Sequence, residues 1–156
     1  MKHLFVPYQL AKLAKEKGFC VYTSKNNHPI APPENEHCLG WYEIRSEEAD
    51  KYDIPNWKER DGKFHYSGTP INNANLGSGV VAPLYQQLAD WFREKHGLFL
   101  CVEGKLGGLG YFCTIYPKTT EAKKLLPSCI ETPNKYPFDY YDILTKALEE
   151  AFKLIG

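Results

Sequence analysis

The stretch from residue 83 to residue 116 constrains the fold most, because a helical pattern there leads directly into two apolar runs. Residues 83–96 repeat apolar side chains at helical spacing, and Gly97 ends the pattern. LFLCV follows as a strand, and LGYFCTIY at 109–116 returns after a glycine-rich turn. A parallel pair would need a crossover helix between the runs, so the pattern predicts an antiparallel hairpin. The apolar helix face consists of Leu84, Leu88, Trp91 and Phe92.

Two further helices are predicted near the ends of the chain. Pro7 suits the start of the first helix, and Gly18 suits its end. Asp139 suits the N-cap of the last helix. The apolar stripe predicted for that helix consists of Leu144, Leu148, Ala151 and Ile155.

Shorter elements complete the predicted order. Strands are expected at 19–22, 39–45 and 63–67, with a short helix at 46–52 and loops at 23–38 and 68–82. The order of helix, strands, helix, hairpin and helix is typical of the α+β class. We therefore predict a single domain over 1–156, with three main helices packed on a mostly antiparallel sheet of about four to five strands. Within it, 23–82 is a long, irregular, insertion-like region.

Composition narrows the class of partner. A chain of 156 residues with 43% hydrophobic and 24% charged residues is expected to fold as a globular domain. Lysine plus arginine equals aspartate plus glutamate at 19 each, so there is no overall positive charge to attract duplex nucleic acid. A local basic patch that binds nucleic acid remains an open alternative.

The sequence favours a cytoplasmic protein with no membrane partner. No apolar stretch approaches the roughly 20 residues of a membrane span. The N-terminal residues become charged and periodic too early for a secretion signal. The cysteines number five, with no C-x-x-C pair, and Cys20, Cys101 and Cys113 lie in apolar runs. In a reducing compartment such residues are expected to be small members of the core.

A glycine-rich stretch resembles a dinucleotide fingerprint only in outline. Gly77 and Gly79 precede a helix, a strand and Glu103, which is the order of that fingerprint. A dinucleotide site needs a buried parallel strand before the glycines, whereas residues 70–76 contain three asparagines and a proline. We interpret the match as chance and predict no cofactor. The two glycines are then expected to give flexibility to a loop.

No catalytic or metal motif is recognisable. GKLGGLG at 104–110 lacks the order of a P-loop, and Ser78 lacks the spacing of a G-x-S-x-G elbow. The histidines show no metal-ligand spacing. We predict no catalytic and no metal residues. One alternative stays open: a small enzyme whose catalytic centre is a thiol–histidine pair that folding assembles around Cys38.

Aromatic residues are abundant, with 3 Trp, 11 Tyr and 8 Phe. Strand aromatics usually pack within a sheet, whereas exposed ones can anchor a protein or stack on bases. Trp57 stands among charges in PNWKERDGK and is the best candidate for exposure. The predicted binding residues are Trp41, Tyr42, Trp57, His65 and Tyr66.

Three blocks carry a resemblance. They are VPYQLAKLAKEKGF at 6–19, PLYQQLADWFREKH at 83–96 and FDYYDILTKALEEAFKLI at 138–155. In this order they resemble a family of small uncharacterised proteins from gut Bacteroidetes and their phages or mobile elements. The blocks cover about a third of the chain, and the family has no assigned activity or catalytic residue to carry over.

The leading prediction is a non-enzymatic accessory protein of phage or mobile-element origin that binds a macromolecule, with a protein as the expected partner. One alternative is a small enzyme with a Cys/His site assembled from loops. The other is a single-stranded nucleic-acid binder that uses the aromatic loop residues. The sequence leaves the identity of the ligand and the oligomeric state open.

Overall fold

The computed structural model describes most of the chain in segments. These are residues 4–43, 63–74, 76, 79–105, 110–117, 128–131 and 140–156. The chain forms two compact units, residues 1–87 and residues 88–156. The predicted helix at 46–52 and the predicted N-cap Asp139 lie outside the described residues.

The first unit contains one long helix and a three-stranded antiparallel sheet. Its elements are α1 (Tyr8–Glu16), β1 (Cys38–Glu43), β2 (Phe64–Ile71) and β3 (Gly79–Ala82). The strands lie in the order β2-β1-β3, so β1 is central and pairs with both neighbours. Helix α1 contacts β3 and buries Leu10, Ala11 and Ala14. This sheet, which we call sheet A, positions the predicted binding residues.

Helix α2 (Tyr85–Trp91) leads into the second unit and continues as a π-helix over Phe92–His96. The predicted termination is confirmed, since Gly97 adopts a φ of +63°, which favours glycine. The remaining elements are β4 (Leu98–Gly104), β5 (Tyr111–Pro117), β6 (Ser128–Glu131) and α3 (Tyr140–Leu154). Strands β4, β5 and β6 form a second antiparallel sheet in that order, which we call sheet B.

The predicted α+β class and the antiparallel β4–β5 hairpin are confirmed. The described strands form two three-stranded sheets rather than one sheet of four to five strands. Helix α3 packs on sheet B, where Ile143 and Ala147 meet the buried Cys113. The predicted stripe of α3 is buried at Leu144, Leu148 and Ala151, and Ile155 is half-buried.

The strand predicted at 19–22 is wrong, because the segment joins no described strand and two of its backbone N–H groups donate to side chains. Cys20 has a φ of +51°, in the left-handed region, and the preceding residues form a turn. Its N–H donates to a Glu36 carboxylate oxygen at 2.9 Å. The N–H of Tyr22 donates to Asn72 Oδ1 at 3.1 Å. The apolar side chains of this segment are therefore packed although its backbone forms no β-ladder.

The loop predicted at 68–82 is also wrong at both of its ends. Strand β2 continues to Ile71, and the Gly-Val-Val-Ala segment over 79–82 forms β3. Every residue of β3 is buried. Glycine at position 79 suggested a flexible loop, but packing on the neighbouring strand fixes it in the sheet. Strand β6 was likewise not predicted. No described helix combines the length and the apolar character that a membrane crossing requires.

Candidate functional site

The predicted binding residues are divided between the two faces of sheet A. Along β1 buried residues alternate with more exposed ones, and cross-strand partners share a face. The inner face, on which Gly40 and Tyr42 are buried, consists of Gly40, Tyr42, Phe64 and Tyr66. The outer face consists of Leu39, Trp41, Glu43 and His65. The structure therefore joins Trp41 with His65, but separates both from Tyr42 and Tyr66.

A stacked pair of rings is the main feature of the outer face. The Trp41 indole and the His65 imidazole lie with centroids 4.5 Å apart and planes inclined by 20°. His65 Nε2 lies 3.0 Å from Glu43 Oε2. The His65 side chain keeps 31% of its surface exposed, and Glu43 is the more buried partner. The ring is thus fixed from two directions while part of it stays open to solvent.

Gly79 gives the Trp41 indole its place beside β3. A Cβ atom at position 79 would lie 2.8 Å from Trp41 Cε3 and would also overlap Leu76. Strand β3 lies on the side of β1 opposite to β2, so His65 and Gly79 approach the indole from different neighbouring strands. In this arrangement Trp41 is better suited to position the His65 imidazole than to bind a partner with its own ring.

Tyr42 belongs to the core of the first unit. Its side chain is buried, and its hydroxyl donates to the Val6 carbonyl oxygen at 2.7 Å. Its ring also meets Tyr8 and Phe64 edge-on. Burial, and then the neighbouring Tyr85, raise the pKa of Tyr42 to about 12. The protonated phenol is therefore the form that the fold accommodates.

Tyr66 lies at the margin of the inner face and is 60% exposed. It completes an aromatic cluster with Phe64 at 4.8 Å and Phe5 at 6.0 Å between centroids. Gly40 makes room for that cluster, since a Cβ there would lie 2.8 Å from Phe64 and 2.9 Å from Phe5. Trp57 lies outside the residues that the structure describes.

A buried polar cluster was missed by the sequence reasoning. The Glu36 carboxylate accepts the Cys20 N–H at 2.9 Å and the Tyr22 hydroxyl at 2.6 Å. Asn73 donates to the Phe19 carbonyl and accepts the Val81 N–H, both at 2.9 Å. These contacts join segments far apart in the chain, so no local pattern reveals them. The adjacent Asn72-Asn73 pair, within the segment predicted as a loop, was the one available signal.

Two thiols lie within this cluster. Cys20 Sγ contacts the Ile71 carbonyl oxygen at 3.2 Å, and Ile71 is the cross-strand partner of Cys38. A hydrogen bond from Cys38 lowers the pKa of the Cys20 thiol despite its burial. The same hydrogen bond, followed by burial, raises the pKa of Cys38 far above its usual range. Cys38 Sγ also contacts Gln87 Oε1 at 3.6 Å.

The other histidines and cysteines occupy different surroundings. His37 follows Glu36 directly, but its Nε2 contacts the Pro32 carbonyl oxygen at 2.9 Å. Cys113 is buried in the core of the second unit, as predicted. Cys101, which was also expected in the core, is half-exposed on the opposite face of sheet B. Among the described residues, no group of three or more potential ligands could hold a metal ion.

Sheet B also presents aromatic residues that were not predicted as binding residues. Phe99 and Tyr116 are direct cross-strand partners, and both side chains are exposed. They lie on the face of β4 and β5 opposite to the face that carries Cys113. LFLCV is a continuous apolar run, so the sequence carried no signal that Phe99 would be exposed.

No protein-family model, curated protein or solved structure matches this chain. The function is therefore inferred from the geometry of the described residues. The outer face of sheet A combines a stacked pair of rings, a carboxylate and an exposed aliphatic side chain. That combination can bind an apolar or cationic group without any chemical step.

Proposed function

We propose that this chain is a non-enzymatic binding protein that takes a segment of a partner protein on the outer face of sheet A. The observation that carries the proposal is the fixed, partly exposed His65 ring, stacked on Trp41 and held by Glu43. A ring that is already ordered loses little conformational entropy when a partner binds. Such pre-ordered aromatic side chains are common anchors at protein interfaces.

The neighbouring side chains favour a protein partner. Leu39 is 47% exposed although it lies on the central strand of the sheet. It lies two residues before Trp41 on β1 and offers an exposed apolar side chain to a partner. Glu43 places a carboxylate next to the rings, which disfavours a phosphate and favours a cation. We therefore expect the partner segment to carry an apolar side chain close to an arginine or a lysine.

Arginine fits this surface especially well. Its planar guanidinium can stack on an aromatic ring and pair with a carboxylate at the same time. The exposed part of the His65 ring provides the stacking surface, and the charge of Glu43, which contacts His65 at 3.0 Å, attracts the guanidinium. The association with a phage or mobile element is a separate part of the proposal, and its only support is the resemblance of the three helical blocks.

Selection from a displayed library of random peptides tests the proposal. Peptides are selected on the wild-type chain and then measured against Leu39→Ser and His65→Ala by fluorescence anisotropy. We expect at least tenfold weaker binding to each variant, and a consensus that contains an arginine or lysine next to an apolar residue. Phe99→Ser is a matched control, because Phe99 is similarly exposed but lies in sheet B.

Two results would overturn the proposal. One is a set of selected peptides that bind Leu39→Ser and His65→Ala as tightly as they bind the wild type and the Phe99→Ser control. The other is an absence of selected peptides together with binding of a labelled oligo(dT) at low salt. The second result, with affinity falling steeply as salt is added, would favour the single-stranded nucleic-acid alternative. Thermal unfolding of each variant checks that the fold is retained.

A further inference from the structure

The polar cluster of the first unit brings together two thiols from separate segments. Cys20 lies in the turn after α1, and Cys38 is the first residue of β1. Cys20 Sγ lies 3.2 Å from the carbonyl oxygen of Ile71 and 3.6 Å from that of Glu36. Ile71 pairs with Cys38 across the sheet, and Glu36 precedes Cys38 by two residues. The Cys20 sulfur is therefore enclosed by the immediate neighbours of Cys38.

The backbone of Cys20 is held in an uncommon conformation for a residue other than glycine. Its φ is +51°, and its N–H donates to the buried Glu36 carboxylate. The Asn73 N–H donates to the Cys20 carbonyl oxygen at 2.8 Å. Strained backbone that is held by several surrounding contacts is more frequent at functional positions than elsewhere. In this conformation the Cys20 sulfur lies against the Glu36 and Ile71 carbonyl oxygens, next to the start of β1.

We propose that Cys20 and Cys38 are a redox-active pair that hydrogen peroxide converts into an intramolecular disulfide. This site is independent of the outer face and of the binding function proposed above. Both side chains are almost fully buried, so the oxidant must be small. A peroxide can reach them during local opening, whereas a bulky disulfide is hindered. The link would join the turn after α1 to the central strand of sheet A.

The two thiols are suited to different steps. The hydrogen bond from Cys38 lowers the pKa of Cys20, which favours the thiolate, and the thiolate is the nucleophilic form. The raised pKa of Cys38 keeps its proton in place. Within this proposal Cys20 is assigned the attacking role and Cys38 the resolving role, and serine variants of the two cysteines test that order.

The reaction balances with one peroxide. The Cys20 sulfur attacks one peroxide oxygen, so that an S–O bond forms, the O–O bond breaks and hydroxide leaves. That hydroxide becomes water with the proton that Cys20 lost on ionisation. The Cys38 sulfur then attacks the sulfenic sulfur, forming the S–S bond, while the departing hydroxide takes the Cys38 proton as water. Two thiols are oxidised to one disulfide, and one peroxide is reduced to two waters.

A time course on the folded wild-type chain tests the proposal. The protein is treated with hydrogen peroxide, remaining thiols are alkylated, and peptides are mapped by mass spectrometry. We expect a linked Cys20–Cys38 peptide in most molecules before Cys101 is oxidised, and its release by dithiothreitol. Cys101 is the comparison because it is more exposed than either Cys20 or Cys38, so access alone would favour its oxidation.

Variants identify the order of the two thiols. Cys38→Ser should leave a Cys20 sulfenic acid that reacts with dimedone, whereas Cys20→Ser should give at least tenfold less dimedone adduct at Cys38. Cys101→Ser, as the matched control, should form the link at the wild-type rate. Oxidation of Cys101 with Cys20 and Cys38 still reduced would overturn the proposal. A link that forms only in denaturant would overturn it as well, and neither result depends on a variant that folds.

Discussion

The two faces of sheet A share the strand β1, but they differ in how far their aromatic residues are buried. On the inner face, Tyr42 is buried and its hydroxyl is bonded to the Val6 carbonyl. On the outer face, its neighbour Trp41 stacks on a histidine that remains partly exposed. Adjacent residues of one strand thus serve stability on one side and a candidate binding surface on the other. The comparison teaches that aromatic content alone does not locate a site, because the face decides the role.

Truncation of the buried ring should have the largest effect on stability. Tyr42→Ala removes the ring and the hydrogen bond to Val6, and we expect a loss of about 3–5 kcal/mol in the free energy of unfolding. Urea denaturation followed by circular dichroism measures it. A loss below about 1 kcal/mol would mean that the inner face does not carry the core of this unit.

A methyl group at Gly40 should have the next largest effect. Gly40→Ala places a Cβ against the Phe64 and Phe5 rings, and overpacking of this kind costs about 1–3 kcal/mol. Gly68→Ala in β2 is the matched control, because a Cβ there meets no atom within 4 Å. Equal unfolding free energies for the two variants would contradict the close packing of rings on Gly40.

The alkaline limb of stability should depend on Tyr42. Its pKa rises from 10.0 to about 12 in the folded chain, so folding favours the neutral phenol. The resulting stabilisation is complete below pH 10 and is lost as the pH rises toward 12. Comparison of wild type with Tyr42→Phe across this range should show a steeper decline for wild type. Parallel curves would show that Tyr42 ionises as easily in the folded chain as in the unfolded one.

The smallest effect on stability is expected on the outer face. Leu39→Ser should change the free energy of unfolding by no more than about 0.5 kcal/mol, as is usual for exposed positions. Its expected effect is instead on peptide binding. A stability loss as large as that of Gly40→Ala would indicate that Leu39 is covered in the folded chain, and it would remove the contrast between the faces.

Local patterns were sufficient for the helices and for one hairpin. The predicted first helix corresponds to α1, the helix at 83–96 to α2 with its π-helical extension, and the last helix to α3. Their apolar spacing and their terminal glycines act over a few residues, so the sequence alone carries the signal. The β4–β5 hairpin was predictable for the same reason, because a short turn joins two apolar runs.

The misassigned segments depend on contacts between distant residues. The apolar segment at 19–22 has strand composition, but the side chains of Glu36 and Asn72 occupy its backbone groups. Strand β3 has a glycine where a loop was expected, because the Trp41 ring occupies the space that a side chain would fill. In both cases the contacting residues are distant in sequence, so a prediction made one segment at a time could not find these contacts.

The sequence by itself determined the α+β class, the helices, the antiparallel hairpin and the aromatic excess from which candidate binding residues were chosen. The tertiary structure decided which of those residues share a face, since the pairing of β1 with β2 places Trp41 beside His65 and Tyr42 beside Phe64. It also decided that the Cys20 sulfur lies against the carbonyl of Ile71, the cross-strand partner of Cys38. The physical reason is range: helix and turn preferences act between near neighbours, whereas strand register and side-chain hydrogen bonds join residues that only folding brings together.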